Sequence, residues 1–311
     1  MSNSVTPKWH GDNYQARIFW ENVLNLFDST SGVVEVSFEA DGPKAFDDVV
    51  VKYNPPRPSS RSQRVSADYH QVKWHVEYGG RFGYKDFIDP GFIGATSVSL
   101  LQRLKEARSK TGPDSCFNFV TVYRIADNDP LGDLVSGVDK SILLEKLFDG
   151  TTTDKSRMGE VRKLWREHLE LSNDEELKAV VTNFRIFEGH RSLDELRTQI
   201  NLKARVVGLL SCEGTSDFRY DELARQLKNK KLNILTRAIL EQFCKEEGLL
   251  SETKQPVEDP FLVIAIRSFL GISADLIGAT PDNTLLLTDY FNQRYLREER
   301  DWQKDLNPLV T

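Results

Sequence analysis

A polar pair, Gln71 and Lys73, interrupts the strand-like stretch YHQVKWH. Side chains alternate across a β-strand, so residues two apart point to the same face, where an amide and an ammonium meet. A second strand-like stretch, FDDVVVKY, carries two aspartates immediately before its valines. If the two strands pair, an aspartate meets Gln71 and Lys73. One carboxylate, one amide oxygen and one ammonium then share a small volume.

Such a group of side chains suits a metal-dependent phosphodiesterase. A hard divalent cation such as Mg²⁺ takes oxygen ligands, holds an attacking water and neutralises a scissile phosphate. The lysine can position or help to deprotonate that water, while its charge offsets that of the pentavalent phosphate. The pattern therefore predicts a magnesium site, in which Mn²⁺ can substitute.

The charge of the chain restricts where nucleic acid can bind. The formal net charge of the 311 residues is -6, so binding requires a local basic region. Residues 52–85 form such a region, with seven basic and two acidic side chains. Within it, Arg57, Arg61 and Arg64 are predicted to contact phosphates, which position a duplex without reading its sequence. The alternative is that these arginines are solubilising charges of a loop.

The polar pair lies within a predicted α/β domain that ends near Ala126. A buried helix, three strands, a second helix and a fourth strand follow in that order, which predicts a mixed sheet flanked by helices. Prolines and serines break both helix and sheet, so NPPRPSSRSQ is predicted to be a loop between the second and third strands. From Lys140 onward, helical patterns that include DEELKAVVTNFRIFE and NILTRAILEQFCKEEG predict a helical bundle.

Several other classes of protein are disfavoured by what the sequence lacks. It has no apolar run of about 18 residues and no signal-peptide pattern, so we expect a cytoplasmic protein without a membrane partner. Its three widely spaced cysteines predict buried thiols, neither disulfides nor a zinc site. No P-loop, HExxH or GxSxG motif occurs, which removes the simplest ATPase, zinc-protease and serine-hydrolase interpretations.

The FDDVVV stretch, followed about 23 residues later by QVK, resembles the PD-(D/E)xK restriction-endonuclease-like superfamily. The likeness covers roughly residues 10 to 126 and is to the variant in which Gln replaces the second acid. It implies that Lys73 is the motif lysine, that Gln71 holds the position of the second acid, and that Asp48 is the first acid and a metal ligand. The helix acid of many members would correspond to Glu21, with Glu39 as a competitor.

A closer resemblance involves GDNYQARIFWENVLNLF, the FDDVVV and YHQVKW stretches, and LWREHLEL. These segments are similar to the nuclease portion of the CD-NTase-associated endonuclease effectors of bacterial CBASS antiphage systems. In that family a SAVED sensor domain binds a cyclic oligonucleotide and drives assembly, which licenses cleavage of double-stranded DNA. We expect a nuclease core over 1–126 and a helical portion over 127–311 that leads to a sensor outside this chain.

The sequence thus predicts a Mg²⁺-dependent endonuclease that cuts double-stranded DNA with little sequence specificity and forms a homo-oligomer on activation. Three alternatives remain: a non-catalytic DNA-binding or assembly module, the nuclease domain of a STAND-type antiviral ATPase, and an RNA-directed nuclease. Individual residues also have structural interpretations. Lys73 suits an edge strand, Asp48 a turn, and Glu21 an ion pair with Arg17 one helical turn away.

The histidines near the motif are predicted to have no joint metal role. His70 and His75 are five apart on a strand, so they fall on opposite faces and serve packing or DNA contact. In LWREHL, Trp165 and His168 lie three apart and are predicted to pack a helix.

Overall fold

The fold is taken from a computed structural model. It describes residues 5–39, 46–59, 64–75, 79–148, 153–212 and 217–250. The strands are β1 (Val33–Phe38), β2 (Val49–Pro58), β3 (Arg64–Lys73), β4 (Arg81–Phe82), β5 (Ser115–Thr121), β6 (Arg124–Ile125), β7 (Phe184–Phe187) and β8 (Ile234–Leu235). The helices are α1 (Val5–Val23), α2 (Leu100–Lys110), α3 (Pro130–Leu134), α4 (Leu144–Phe148), α5 (Arg157–His168), α6 (Asp174–Val181), α7 (Leu193–Val206), α8 (Arg219–Asn229) and α9 (Arg237–Glu246).

Six of these strands form one mixed sheet in the order β7-β5-β3-β2-β1-β8, while β4 and β6 form a separate parallel pair. Strand β2 pairs with β1 and β3 in the antiparallel sense, and β5 runs parallel to β3 and β7. Helices flank the sheet and predominate in the C-terminal part of the described chain. The predicted α/β class, with a mixed sheet flanked by helices, is confirmed.

The sheet separates two hydrophobic clusters, because alternate side chains of each strand enter opposite layers. In the first cluster, α1, α7 and α8 contribute residues that pack with Val49 and Val72. In the second, α2, α5 and α6 pack with Phe117 and Phe119. Polar residues that alternate with Val72, such as Gln71, therefore point to the α2 side of the sheet. The three cysteines are buried and free, as predicted.

The predicted loop NPPRPSSRSQ is wrong in its first half. Strand β2 continues through these prolines to Pro58, and its register with β3 shifts between Lys52 and Arg57. Proline donates no backbone hydrogen bond, and such an irregularity removes the need for one. Arg57 and Arg64 are consequently strand residues, whereas Arg61 lies outside the described part of the chain.

The C-terminal segment is less purely helical than predicted. The stretch NFRIF was assigned to a helix, but α6 ends at Val181 and β7 then joins the sheet beside β5. In β7, Phe184 and Ile186 are buried and their neighbours less so, which is the alternation of a strand. Likewise, Ile234–Leu235 form β8 before α9 begins at Arg237.

Residues on both sides of position 126 therefore contribute to the same sheet. The described residues up to 136 and from 140 to 250 form one compact unit. Residues 251–311, which belong to the predicted helical portion, lie outside the described residues. None of the described helices is long and apolar enough to cross a bilayer.

Candidate active site

Asp48 is placed beside β3 by the pairing of β2 with β3, in which Val49 lies opposite His70. Its Oδ2 accepts a hydrogen bond from the main-chain N–H of Val72, with an N···O distance of 2.6 Å. The same oxygen accepts a bond from the Nε2 of Gln71 at 2.5 Å. Both donors use Oδ2, so Oδ1 is the oxygen left open to another ligand. The predicted meeting of an aspartate with Gln71 is thus present in the structure.

Lys73 lies on the same face of β3 as Gln71, two residues further along. Its ammonium is close to Gly94, which follows the 3₁₀ helix Pro90–Ile93. A Cβ built on Gly94 would lie only 2.7 Å from Nζ of Lys73, and the φ of Gly94 is +70°. The positive φ favours glycine here, and a side chain at this position would displace the ammonium of Lys73. No pattern in the sequence indicates this contact.

Helix α2 supplies a further residue that the sequence analysis missed. The Nη1 of Arg103 donates to the Oε1 of Gln71 at 3.2 Å. The helix begins with a reciprocal capping interaction between Ser99 and Gln102, which fixes the start of the helix one turn before Arg103. The amide of Gln71 therefore has a partner at each end: its nitrogen faces Asp48 and its oxygen faces Arg103.

The charge of Asp48 is poorly compensated. Burial is the main cause that raises the pKa of this carboxyl to about 7, and the nearby charges of Asp47 and Glu39 raise it further. The N–H of Val72 and the guanidinium of Arg103 only partly oppose this. Burial likewise lowers the pKa of Lys73, with Asp48 acting in the opposite direction. A buried carboxylate that lacks enough positive charge is a favourable position for a cation.

The donor types at this position fit Mg²⁺. Asp48 offers a carboxylate oxygen and Gln71 an amide oxygen, and Mg²⁺ takes hard oxygen ligands. No cluster of three or more His, Cys, Asp or Glu side chains suited to a metal occurs among the residues that the structure describes. Mg²⁺ is commonly bound through only one or two carboxylates, with waters and substrate phosphates as the other ligands. The arrangement is consistent with a Mg²⁺ site in which a substrate phosphate supplies one of the ligands.

The two acids predicted as further ligands have other partners. The carboxylate of Glu39 forms an ion pair with Lys228, although its main-chain N–H donates to the carbonyl of Asp48 at 3.2 Å. Glu21 belongs to α1, which packs on the Val72 face of the sheet. The structure therefore places Glu39 next to Asp48 but puts Glu21 across the sheet from Gln71.

Glu21 has the charge compensation that Asp48 lacks. Its carboxylate accepts a bond from Arg191 at 2.5 Å, and Lys203 donates to its main-chain carbonyl at 2.8 Å. Burial by itself would raise the pKa of Glu21, but Lys203 and Arg191 hold it below its usual value. Its predicted helix partner, Arg17, instead pairs with Asp221.

Arg57 and Arg64, both predicted to contact phosphate, have different surroundings. Arg57 holds both carboxylate oxygens of Asp68, at 2.9 and 2.6 Å. Despite its burial, Asp68 has a pKa lowered to about 2 by this guanidinium. Arg57 thus has a structural partner, while Arg64 is exposed at the start of β3. A phosphate contact by Arg64 stays a prediction, as does one by Arg61.

The remaining residues singled out from the sequence serve packing. His75 stacks on Tyr123 with ring centroids 3.8 Å apart. Burial lowers the pKa of both His70 and His75 to about 4, so both are neutral at physiological pH. Trp165 is buried and donates to the carbonyl of Tyr84. The ring of His168 lies 2.7 Å from the hydroxyl of Ser99 and so adjoins the start of α2.

The fold and the site together describe an α/β protein with a buried acid, an amide and two cations at one face of its sheet. Comparison with models of known protein families finds no match. The chain is 45% identical over its 311 residues to CD-NTase-associated protein 4 of Enterobacter hormaechei subsp. hoffmannii (strain UCI 50). It spans 62% of the length of that protein. This similarity supports the resemblance to CBASS-associated effectors inferred from the sequence.

Proposed function

We propose that this chain carries a metal-dependent endonuclease that cuts double-stranded DNA in antiphage defence. The observation that carries the proposal is the contact between Asp48, directly before β2, and Gln71 on β3, with Lys73 on the same face. The likeness to CD-NTase-associated protein 4 supports the setting in defence. Since the chain spans 62% of that relative, activation by a cyclic oligonucleotide is proposed to act through a sensor outside it.

Each side chain of the site has a distinct proposed role. Asp48 and the amide oxygen of Gln71 would hold Mg²⁺, which when bound would activate a water and neutralise phosphate charge. Lys73 would orient that water and stabilise the charge that develops on the phosphate. Burial lowers the pKa of Lys73, so a larger fraction of its side chain is the neutral amine at a given pH. The neutral amine can accept a proton from the water. Arg103 provides a second positive charge at the same place.

The substrate is proposed to be recognised through its backbone. Arg64 is an exposed strand cation, and phosphate contacts of this kind position a duplex without reading its bases. Binding without base readout predicts cleavage with little sequence preference. Such an activity would damage the host genome if it were permanent, which favours regulation through assembly of several chains.

Cleavage of supercoiled plasmid tests the proposal. The purified chain, at a concentration high enough to drive assembly, is incubated with Mg²⁺ in the presence and absence of a chelator. Nicking that the chelator abolishes is expected. Lys73→Ala should remove it, while Lys52→Ala, which changes an exposed strand lysine paired with Glu35, should not. Cleavage that is insensitive to the chelator, or unaffected by Lys73→Ala, would contradict the proposal.

A non-catalytic DNA-binding module is the second candidate. It is favoured by the hydrogen bond from Gln71 to Asp48, because this bond gives one oxygen of the carboxylate a partner without a cation. In the same experiment, such a module would bind plasmid but leave it uncut at every Mg²⁺ concentration. Replacing the plasmid with RNA tests whether the substrate is RNA instead.

A further inference from the structure

Arg103 is held at the site by its contact with Gln71, to which its Nη1 donates. Within the described ranges it forms no ion pair and has no other side-chain acceptor. A guanidinium has five N–H donors in a planar fork, so among the described residues most of those on Arg103 have no acceptor. In Arg57, by contrast, the fork is taken up by both oxygens of Asp68. Arg103 is thus the arginine at the site that retains capacity for an anion.

The contact also fixes the orientation of the Gln71 amide. With its oxygen bound to Arg103, the amide presents its nitrogen to Asp48. Nitrogen of an amide donates hydrogen bonds and does not bind Mg²⁺, which takes oxygen. For Gln71 to share a cation with Asp48, its amide must turn over. The turned amide would point its NH₂ group at Arg103, and two donors do not bond to each other.

The amide can therefore turn at low cost only if Arg103 obtains another acceptor. A phosphate is the acceptor that matches a guanidinium best, because it takes two parallel N–H bonds that are strengthened by charge. Two events at the site are then linked. Entry of a phosphate releases the oxygen of Gln71, and entry of a cation turns that oxygen toward Asp48.

We infer that Arg103 is a positioning residue that couples cation binding to phosphate binding through the amide of Gln71. The inference rests on the proposed function, since a phosphodiester of nucleic acid is taken as the anion. In the free chain Arg103 keeps Gln71 turned away from the cation site, and the affinity for a cation is low. Binding of DNA removes this restraint. By reciprocity, the cation strengthens DNA binding by the same factor.

Mn²⁺ binding to the full chain, followed by the EPR signal of the free ion, tests the coupling without any measurement of cleavage. The affinity is determined with and without a cleavage-resistant phosphorothioate duplex, and Mn²⁺ bound by the duplex alone is subtracted. We expect the duplex to raise the Mn²⁺ affinity of the parent roughly tenfold, within the usual range of allosteric coupling. Arg103→Ala should retain Mn²⁺ binding but reduce the increase to less than about twofold.

Three further variants distinguish coupling from a general structural effect. Arg103→Lys keeps a donor for both Gln71 and phosphate and should restore part of the increase. Gln71→Glu offers oxygen in either orientation, so it should bind Mn²⁺ more tightly without DNA and lose most of the coupling. Lys110→Ala removes an exposed charge from the same helix and should leave the increase unchanged.

The two proposals fail in different ways. A full tenfold increase in Arg103→Ala would overturn the coupling and leave the metal site intact. If Asp48→Asn bound Mn²⁺ as well as the parent does, there would be no metal site at Asp48, and both the proposed function and the coupling would be overturned.

Discussion

Two partly buried acids lie on opposite faces of the same sheet and have different surroundings. Glu21, on the α1 face, is compensated by Arg191 and Lys203, and its pKa is lowered. Asp48, on the α2 face, has acidic neighbours and a pKa raised to about 7. Burial acts on both in the same direction, so the difference comes from the charges around them. A carboxylate that is paired with cationic side chains contributes to the stability of the fold, whereas one without such partners is available to bind an external cation.

The first prediction concerns Glu21, the acid whose charge is compensated by cations of the protein. Its replacement should have the largest effect on stability. Glu21→Ala removes the carboxylate that pairs with Arg191 in a largely buried position, whereas Lys203 keeps its bond to the main-chain carbonyl of residue 21. We expect a loss of about 3 kcal/mol in the free energy of unfolding, measured by urea denaturation. The matched control, Glu35→Ala, removes a partly exposed ion pair with Lys52 and should cost less than about 1 kcal/mol. Equal losses of unfolding free energy in Glu21→Ala and Glu35→Ala would show that Glu21 stabilises the fold no more than a surface acid does.

The second prediction is that Asp48→Asn stabilises the cation-free protein at pH 8 by about 2 kcal/mol or more. The folded-state pKa of about 7 lies above the usual value of 3.8. As the pH rises between these values, the unfolded chain loses its proton first, and the parent becomes less stable. The gain from asparagine should thus be absent near pH 3, grow up to pH 7 and stay constant above it. Denaturation curves of the parent and of Asp48→Asn at these pH values measure the difference. A lower stability of Asp48→Asn at pH 8 would contradict the raised pKa of Asp48.

The third prediction is that Mg²⁺ offsets part of this loss of stability. A cation that binds only the folded state stabilises it by mass action. At a concentration tenfold above its dissociation constant, Mg²⁺ should add about 1.4 kcal/mol at pH 8, seen as a higher melting temperature of the parent. Asp48→Asn should show no such increase. A similar response in both proteins would place the stabilising cation elsewhere.

The smallest effect is expected for the two strand arginines in DNA binding. Arg64→Ala should lower the slope of log K against log salt concentration by about 1, as expected for one lost phosphate contact. Arg57→Ala removes a structural pair with Asp68, so it should reduce stability and leave this slope unchanged. Fluorescence anisotropy of a labelled duplex at several salt concentrations measures both. If the salt dependence of binding fell in Arg57→Ala and not in Arg64→Ala, Arg57 and not Arg64 would be the phosphate contact.

The main features of the site could be predicted because they depend on local pattern. Alternation places Gln71 and Lys73 on one face of a strand, and valine-rich strands pair readily. The pairing of β2 with β3 and the meeting of an aspartate with Gln71 follow from these two rules, whereas the choice of Asp48 came from the family resemblance. Gln71 and Asp48 are 23 residues apart, and a single antiparallel pairing is enough to bring them together.

Other features depended on partners distant in the sequence. The face on which Glu21 lies is set by the packing of α1 against the sheet, and its partner Arg191 is 170 residues away. Arg103 reaches Gln71 from a helix that carries no motif. NFRIF has helix-compatible residues on either side, and only the free edge of β5 makes it a strand. NPPRP remains in the sheet because the irregular register accepts prolines.

The location of a bound ion would show directly whether Asp48 and Gln71 form a metal site. Crystals of the chain soaked in Mn²⁺ with a short cleavage-resistant duplex, measured at the manganese absorption edge, would reveal the ion by its anomalous signal. The account predicts a peak within coordination distance of Asp48 and of the oxygen of Gln71, with Arg103 turned to a phosphate. A peak beside Glu21, or none near Asp48 at saturating Mn²⁺, would contradict it.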